Sequence, residues 1–291
     1  MTRILHLSDT HVSATGFDAD GVDAVASLER MLFDAGHLPA IDLVIVTGDI
    51  ADDGSAAGCR TVMERVGDFA AARGIPHVYT TGNHDDRGAF ADILGSGHIG
   101  PDGADRGVLL DPSLDTRAAV SDVQGLRIIT LDSLDPGEVH GHLSRPQLDW
   151  LTDLLDTPAE RGTVIALHHP PLRLPAIAWF ESFVLQNIGD LADVVQGRGV
   201  SAILAGHVHF QVSGFLAGVP VSVAPGVVTR IDPTAPPHLV RGVLGAGASV
   251  VDLADPAAPS FHTIHARDPR NGEQVYVYDP VTGERSTGQE P

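Results

Sequence analysis

The sequence predicts an α/β fold, and the order of its elements fits two packed mixed β-sheets flanked by helices. Three observations carry that prediction. Apolar runs of strand length recur along the chain, segments with helical periodicity separate the first of them, and each of five short polar motifs follows closely after one of the runs. Polar residues collected just beyond the carboxyl ends of strands are where an open α/β sheet places its binding loops.

The elements follow in order. Ile4-Leu5-His6-Leu7, Leu43-Val44-Ile45-Val46 and His77-Val78-Tyr79-Thr80 read as short buried strands. Between them, Asp20 to Ala35 sets Val22, Val25, Leu28 and Leu32 on one face, and Ser55 to Arg73 does the same with Val62, Val66 and Phe69. Both are expected to be crossover helices covering a sheet. The stretch from Gly95 to Asp115 is rich in Gly, Asp and Pro with little periodicity, so it reads as a loop near the mouth of the site. Val120 to Val123 and Leu126 to Leu131, joined at Gln124-Gly125, form a hairpin pattern. Ser144 is placed to cap a helix carrying Leu148, Trp150, Leu151, Leu154 and Leu155. Val164-Ile165-Ala166-Leu167 and Ala202-Ile203-Leu204-Ala205 are further buried strands, with another helix expected within Glu181 to Gln196. Val212 to Phe215 and Val219 to Ala224 then read as β-like runs.

Because five polar motifs run from Asp9 to His209, no cut within that interval leaves them complete, and residues 1–230 are expected to form one folding unit. Residues 231–291 differ in character. Asp232-Pro233-Thr234-Ala235-Pro236-Pro237 breaks regular structure, and Val250 to Leu253, Phe261 to His265 and Gln274 to Tyr278 resemble strands. They are expected to finish the second sheet, with a lid or dimer contact as the alternative. The tail from Val281 to Pro291 is expected to fray.

Composition narrows the function classes. A hydrophobic content of 43% over 291 residues allows a sizeable core. Lys plus Arg number 18 against 38 Asp plus Glu, a net charge of −20. Such a surface repels nucleic-acid phosphates, so no nucleic-acid partner is expected; solubility or a salt-adapted proteome accounts for the acidity. Cys59 is the sole cysteine, which excludes an intramolecular disulfide. No basic stretch followed by an apolar segment opens the chain, and no apolar run spans a bilayer, so a cytoplasmic protein is expected.

The motifs are Asp9-Thr10-His11, Gly48-Asp49, Gly82-Asn83-His84-Asp85, His168 and Gly206-His207-Val208-His209. Asp9 or Asp49 alone would read as a strand-end cap, and Asn83-His84-Asp85 alone as a turn. Together they supply carboxylate, imidazole and amide donors suited to Mn, Fe, Zn or Co rather than Ca. Hydrolysing a phosphate ester at neutral pH needs a hydroxide nucleophile, neutralised phosphoryl oxygens and a stabilised leaving oxygen. Two cations roughly 3.5–4 Å apart provide all three, and a carboxylate such as Asp49 can bridge them. Among the other histidines, His6 and His77 lie within strands and read as core residues. His140 and His142 flank Gly141 in a loop where either could touch substrate, while His169 is placed to orient its neighbours.

The order D-x-H, G-D, G-N-H-D, H and G-H-x-H resembles that of the calcineurin-like metallophosphoesterases. The surroundings, including Leu167-His168-His169-Pro170-Pro171 and Ala202 to His207, are similar to their bacterial class III cyclic-nucleotide phosphodiesterases, particularly actinobacterial members. The resemblance covers residues 1 to about 230. It implies a four-layer sandwich, a homodimer, and two metal ions (Mn, Fe or Zn) bridged by Asp49 and a hydroxide. One ion would be held by Asp9, His11, Asp49 and His209, the other by Asp49, Asn83, His168 and His207. His84 matches a non-ligand histidine beside the substrate phosphate, where it would protonate the leaving alkoxide while Asp85 orients its ring. Substrate contacts are expected from Asn83, His84 and His140. The implied reaction is hydrolysis of 3′,5′-cyclic nucleotides, cyclic AMP favoured. The alternatives are a glycerophosphodiester or broad phosphodiesterase and a non-catalytic metal-binding module.

Overall fold

The computed structural model of the chain describes residues 2–287. Its first half builds one sheet from β1 (Arg3–Leu7), β2 (Leu43–Thr47), β3 (His77–Thr80) and β4 (His98–Ile99), with α1 (Ala24–Ala35), α2 (Ala56–Ala71) and α3 (Arg87–Leu94) between them. β1, β2 and β3 are parallel, so each connection must cross over, and α1 and α2 do so. α1 starts at Ala24, later than its periodicity suggested, because Asp23 accepts the Ala26 N–H at 2.9 Å and caps it. Upstream, the Asp18 carboxylate takes the N–H groups of Asp20 and Val22 at 3.0 and 2.7 Å, which holds residues 18–22 as a loop. Ser55 caps α2 on the Gly58 N–H, where the sequence placed its start.

The second sheet takes β5 (Val108–Leu109), β6 (Ala119–Val123), β7 (Leu126–Thr130), β8 (Thr163–Ala166), β9 (Val200–Ala205), β10 (Val212–Leu216) and β11 (Val219–Val223), with α4 (Arg145–Leu155) and α5 (Ile188–Val195) against it. Its strand order is β10-β11-β9-β8-β7-β6-β5. The β6–β7 turn has positive φ at both Gln124 (54°) and Gly125 (87°), as a two-residue hairpin requires. The 95–115 stretch is not wholly loop, since it contributes β4 to one sheet edge and β5 to the other. Ser144 stands at the N-cap of α4 with its carbonyl accepting the Leu148 N–H at 3.2 Å but with no hydroxyl bond to the helix backbone; Pro146 in the first turn has no N–H to offer that hydroxyl. α5 occupies only the later part of its expected span, after a single 3₁₀ turn at Phe180–Ser182.

Residues beyond 228 divide between two places. β14 (Gly247–Asp252) and β15 (Ser260–His265) extend the first sheet, to give β15-β14-β1-β2-β3-β4, rather than finishing the second. β1 is buried on both faces and needs a neighbour buried likewise; β14 supplies Ala248 and Val250 to one side and Val251 to the other. β12 (Thr229–Ile231), β13 (Val240–Leu244), β16 (Gln274–Tyr278) and β17 (Arg285–Thr287) form a separate four-stranded sheet. β17 lies inside the tail expected to fray; residues 288–291 of that tail lie outside the described residues.

Alternation along the strands sorts the core into three layers. Ile4, Leu43, Ile45, Val78, Ile128, Val164 and Leu204 meet between the two large sheets. Leu5, Leu7, Val44 and Val46 pack under α1–α3, and Ile129, Ile165 and Ile203 pack under α4 and α5. The result is helix, sheet, sheet, helix, the four-layer sandwich that was expected. Among the described residues no helix is long and apolar enough to cross a membrane.

Candidate active site

Loops leaving β1, β2, β3, β8 and β9 converge at one end of the paired sheets and bond to one another before any side chain is considered. The Asp9 and His11 N–H groups donate to the carbonyls of Gly48 and Asp49 at 3.2 and 3.0 Å, and the Gly206 N–H donates to the carbonyl of His168 at 2.9 Å. Five of the seven expected ligands have left-handed backbones: Asp9 (φ 55°), His11 (44°), Asp49 (47°), His207 (73°) and His209 (54°). Non-glycine residues adopt this conformation rarely and at a cost, and such positions gather at functional sites. Two glycines permit the close approach. A Cβ on Gly82 would lie 2.3 Å from the Asp49 carboxylate, and one on Gly206 would lie 1.7 Å from the Ser8 hydroxyl.

The donor atoms then fall into two groups that share Asp49. Its Oδ1 accepts the His84 N–H at 2.9 Å, which leaves Oδ2 between two imidazoles, 3.4 Å from His11 Nε2 and 3.2 Å from His168 Nε2. On one side His11 Nε2 lies 3.2 Å from His209 Nε2, itself 3.4 Å from Asp9 Oδ1. On the other, His168 Nε2 lies 3.1 Å from His207 Nδ1 and 3.2 Å from Asn83 Oδ1.

This donor set fits two cations. His11, His168 and His209 each use Nδ1 as a donor, to Asp52 Oδ1 at 2.8 Å, the Thr47 carbonyl at 2.7 Å and the Thr229 carbonyl at 3.1 Å. When both are neutral, His11 and His209 in that tautomer turn their Nε2 lone pairs inward, so their 3.2 Å contact sets acceptor against acceptor unless a proton or a metal ion lies between them. A positive charge between them removes the repulsion. Two nitrogens about 2.1 Å from one ion at right angles are themselves about 3 Å apart, which matches the spacing. Burial opposes charge on His11 and His168, yet Asp52 and Asp49 respectively, with help from Asp9, push both up to about 9. Burial would raise Asp49, but the His168 and His84 rings hold it well below the usual carboxylate range. His207 is driven down by burial and by the adjacent His169 and His168.

Known proteins resemble this chain in sequence and in fold. The profile of calcineurin-like phosphoesterases matches residues 2–211. The chain belongs to that family. It is 38% identical over 283 residues to a Rhodococcus erythropolis protein named "Probable cyclic nucleotide phosphodiesterase", covering 96% of this chain and 86% of that one. It is also 38% identical over 260 residues to a cAMP/cGMP dual specificity phosphodiesterase of Mycobacterium tuberculosis, covering 86% and 75%. A dimetal phosphatase from Danio rerio shares the fold at 15% identity, with a TM-score of 0.62 over 91% of this chain and 99% of that one.

Within this phosphoesterase the remaining expected residues are only partly brought together. His84 stands at the pocket, 40% exposed, its ring edge-on to His11 at 4.6 Å. Its Nδ1 donates to the backbone carbonyl of Asp52 at 2.9 Å, so Nε2 is left for substrate. Asp85 does not orient it. The Asp85 carboxylate points the other way and accepts the N–H groups of Ile50, Ala51 and Gly82 at 3.1, 2.9 and 2.9 Å, tying two ligand loops together. Burial and the nearby Asp49 push Asp85 up to about 6. His140 faces Asp135 and Glu138 at 3.6 and 3.7 Å, and its neighbour Val139 lines the cavity instead.

His169 bonds Ser133 Oγ through Nδ1 at 2.8 Å and sits against the His168 and His207 rings, as an orienting residue would. His6 and His77 bond Thr47 and Tyr79 inside the core. Sequence reasoning missed Asp52, whose only local sign is its place in the acidic turn after Asp49. It also missed Trp179, Phe183, Tyr276, Tyr278 and Arg285 on the cavity wall. Tyr276 and Tyr278 are two apart on a strand and thus share a face, a signal that gains meaning only once that strand is placed.

Proposed function

We propose that this phosphoesterase hydrolyses 3′,5′-cyclic nucleotides, cyclic AMP in particular, to nucleoside monophosphates. The carrying observation is Asp49 Oδ2, poised between His11 and His168 with a separate donor group on either side. The names of the Rhodococcus and Mycobacterium relatives support the choice of substrate. Asp9, His11, Asp49 and His209 would hold one metal ion, and Asp49, Asn83, His168 and His207 the other. When bound, such a pair supplies an activated water and neutralises charge on the phosphoryl oxygens.

The chain's own residues do the rest. Net reaction adds water across one P–O ester bond: oxygen joins phosphorus, and a proton ends on the departing ribose oxygen. His84, with Nδ1 fixed on the Asp52 carbonyl, presents Nε2 to deliver that proton. The Asp52 carboxylate, 3.6 Å from Nδ1, stabilises the cationic ring that donates it. Asn83, at the pocket edge beside His84, contacts the phosphate. The same reading includes Mn, Fe or Zn as the metals, a homodimer and a cytoplasmic location. Elemental analysis tests the metals and light scattering the dimer.

The deciding assay sets cyclic AMP, cyclic GMP, a glycerophosphodiester and a phosphomonoester side by side with Mn²⁺-loaded protein. Cyclic nucleotides are expected to turn over fastest, chelation to abolish activity until Mn²⁺ is restored, and Asp49→Ala to be inactive throughout. Full turnover in chelator, or preference for the glycerophosphodiester or monoester, overturns the reading.

A further inference from the structure

The cavity over the donor cluster holds about 560 Å³, within the range of small-molecule sites, and its lining combines two chemistries. Part of it is the histidines and carboxylates. The rest is largely aromatic. Phe183 lies 5.6 Å from the His207 ring at an interplanar angle of 35°, and Trp179 meets Phe183 edge-on at 5.6 Å. Further lining comes from β16 and β17. Tyr276 and Tyr278 line the cavity, whereas Val277 between them lines a separate depression with Ser286, as strand alternation dictates.

Those strands are anchored at the cavity lining. Arg285 pairs in register with Tyr278, and its guanidinium lies 4.0 Å over the Tyr276 ring. The same guanidinium forms a forked ion pair with Asp20 from the loop before α1, with Nε 3.0 Å from Oδ1. The first loop and the last strand, 265 residues apart, are thereby joined beside the donor cluster.

We propose that this aromatic lining is a binding site for the planar base of a nucleotide, with Tyr278 and Phe183 offering ring faces and Arg285–Asp20 holding the strand pair in place. The proposal rests on the nucleotide reading of the phosphate end and adds the part of the molecule that the metal ligands do not touch. A glycerol or ethanolamine group has no flat face to offer such a wall. Stacking on an aromatic ring is selective for bases as a class and tolerant among them.

The test is calorimetric binding of 5′-AMP and of ribose 5-phosphate, which share sugar and phosphate and differ in the base. Wild type is expected to bind 5′-AMP at least about tenfold more tightly. Tyr278→Ala should reduce that preference about fivefold or more while leaving ribose 5-phosphate unchanged, and Tyr278→Phe should keep it. Arg285→Gln, by releasing the strand pair, should reduce it as well, and matched thermal midpoints confirm folding. Equal affinities for the two ligands in wild type, or an undiminished preference in a folded Tyr278→Ala, overturn the proposal. If cyclic AMP is not hydrolysed yet the base preference and its loss are seen, the base site stands and the assigned reaction fails.

Discussion

Asp52 holds His11 by a 2.8 Å bond between its Oδ1 and the imidazole Nδ1, across 41 residues of sequence, while its own carbonyl fixes His84. One residue of the turn after Asp49 thus sets the orientation of an expected metal ligand and of the expected proton donor. Removing an orienting partner of a ligand histidine commonly costs 10–100-fold in metal affinity. Asp52→Ala is therefore expected to weaken one metal site by about that factor, with activity partly rescued at high Mn²⁺. Asp52→Asn, which keeps an acceptor, should lose much less. Metal titration of the two variants checks this; wild-type affinity in Asp52→Ala would show that His11 is positioned without it.

His168 and His169 are adjacent and buried, and one nitrogen of each lies within 4.8 Å of a nitrogen of His207 and of the other. Only His168 turns Nε2 to Asp49 Oδ2, while His169 spends Nδ1 on Ser133. His168→Ala should lose one metal equivalent on purification and His169→Ala less. Loss by His169→Ala alone, read by elemental analysis, would reverse the assignment.

If His84 delivers the proton to the leaving oxygen, His84→Ala should cripple hydrolysis of a cyclic nucleotide, whose ribose oxygen leaves badly without one. An activated aryl diester should suffer much less. The gap is expected to be on the order of 10²-fold or more, with metal content unchanged. Equal losses on both substrates would assign His84 to stabilising charge on the phosphoryl oxygens instead.

Far from the donor cluster, His98 is buried between Ser121 and Thr130, bonded at 2.6 and 2.9 Å. Burial, only partly offset by Asp105, lowers it to about 4 from an ordinary value of 6.5. The folded state therefore keeps His98 neutral where the unfolded chain already binds a proton. Its contribution is complete above pH 6.5 and is lost as pH falls toward 4, by on the order of 1–3 kcal/mol. Denaturant unfolding of wild type and His98→Gln across that window should give a shallower decline for the variant. Parallel declines would mean that His98 does not drive the pH dependence.

The expected ligands were legible because their requirement is local: a donor of the right type, two to four residues past a buried strand, after a glycine where backbones crowd. Asp85 shows where that logic stops. It is next to His84 in sequence, but neighbouring side chains leave the backbone in different directions, and this one turned inward to three N–H groups. Asp52 escaped notice because its importance lies in His11, which no spacing rule connects to it. β14 was recognisable as a strand from Val250 and Val251, while its place beside β1 depended on which edge was short of a two-sided partner.

What the sequence by itself determined was the donor inventory and its placement at strand ends, and with them the family and the four-layer fold. Periodicity and residue type are properties of a few adjacent residues, so they survive reading along a line. Only the tertiary structure decided that Asp49 Oδ2 serves both donor groups, that Asp52 joins two histidines, and that Tyr276, Tyr278 and Arg285 wall a cavity begun by residues near the amino terminus. Those outcomes follow from which faces are buried together, and burial is settled by packing across the whole chain rather than by any segment of it.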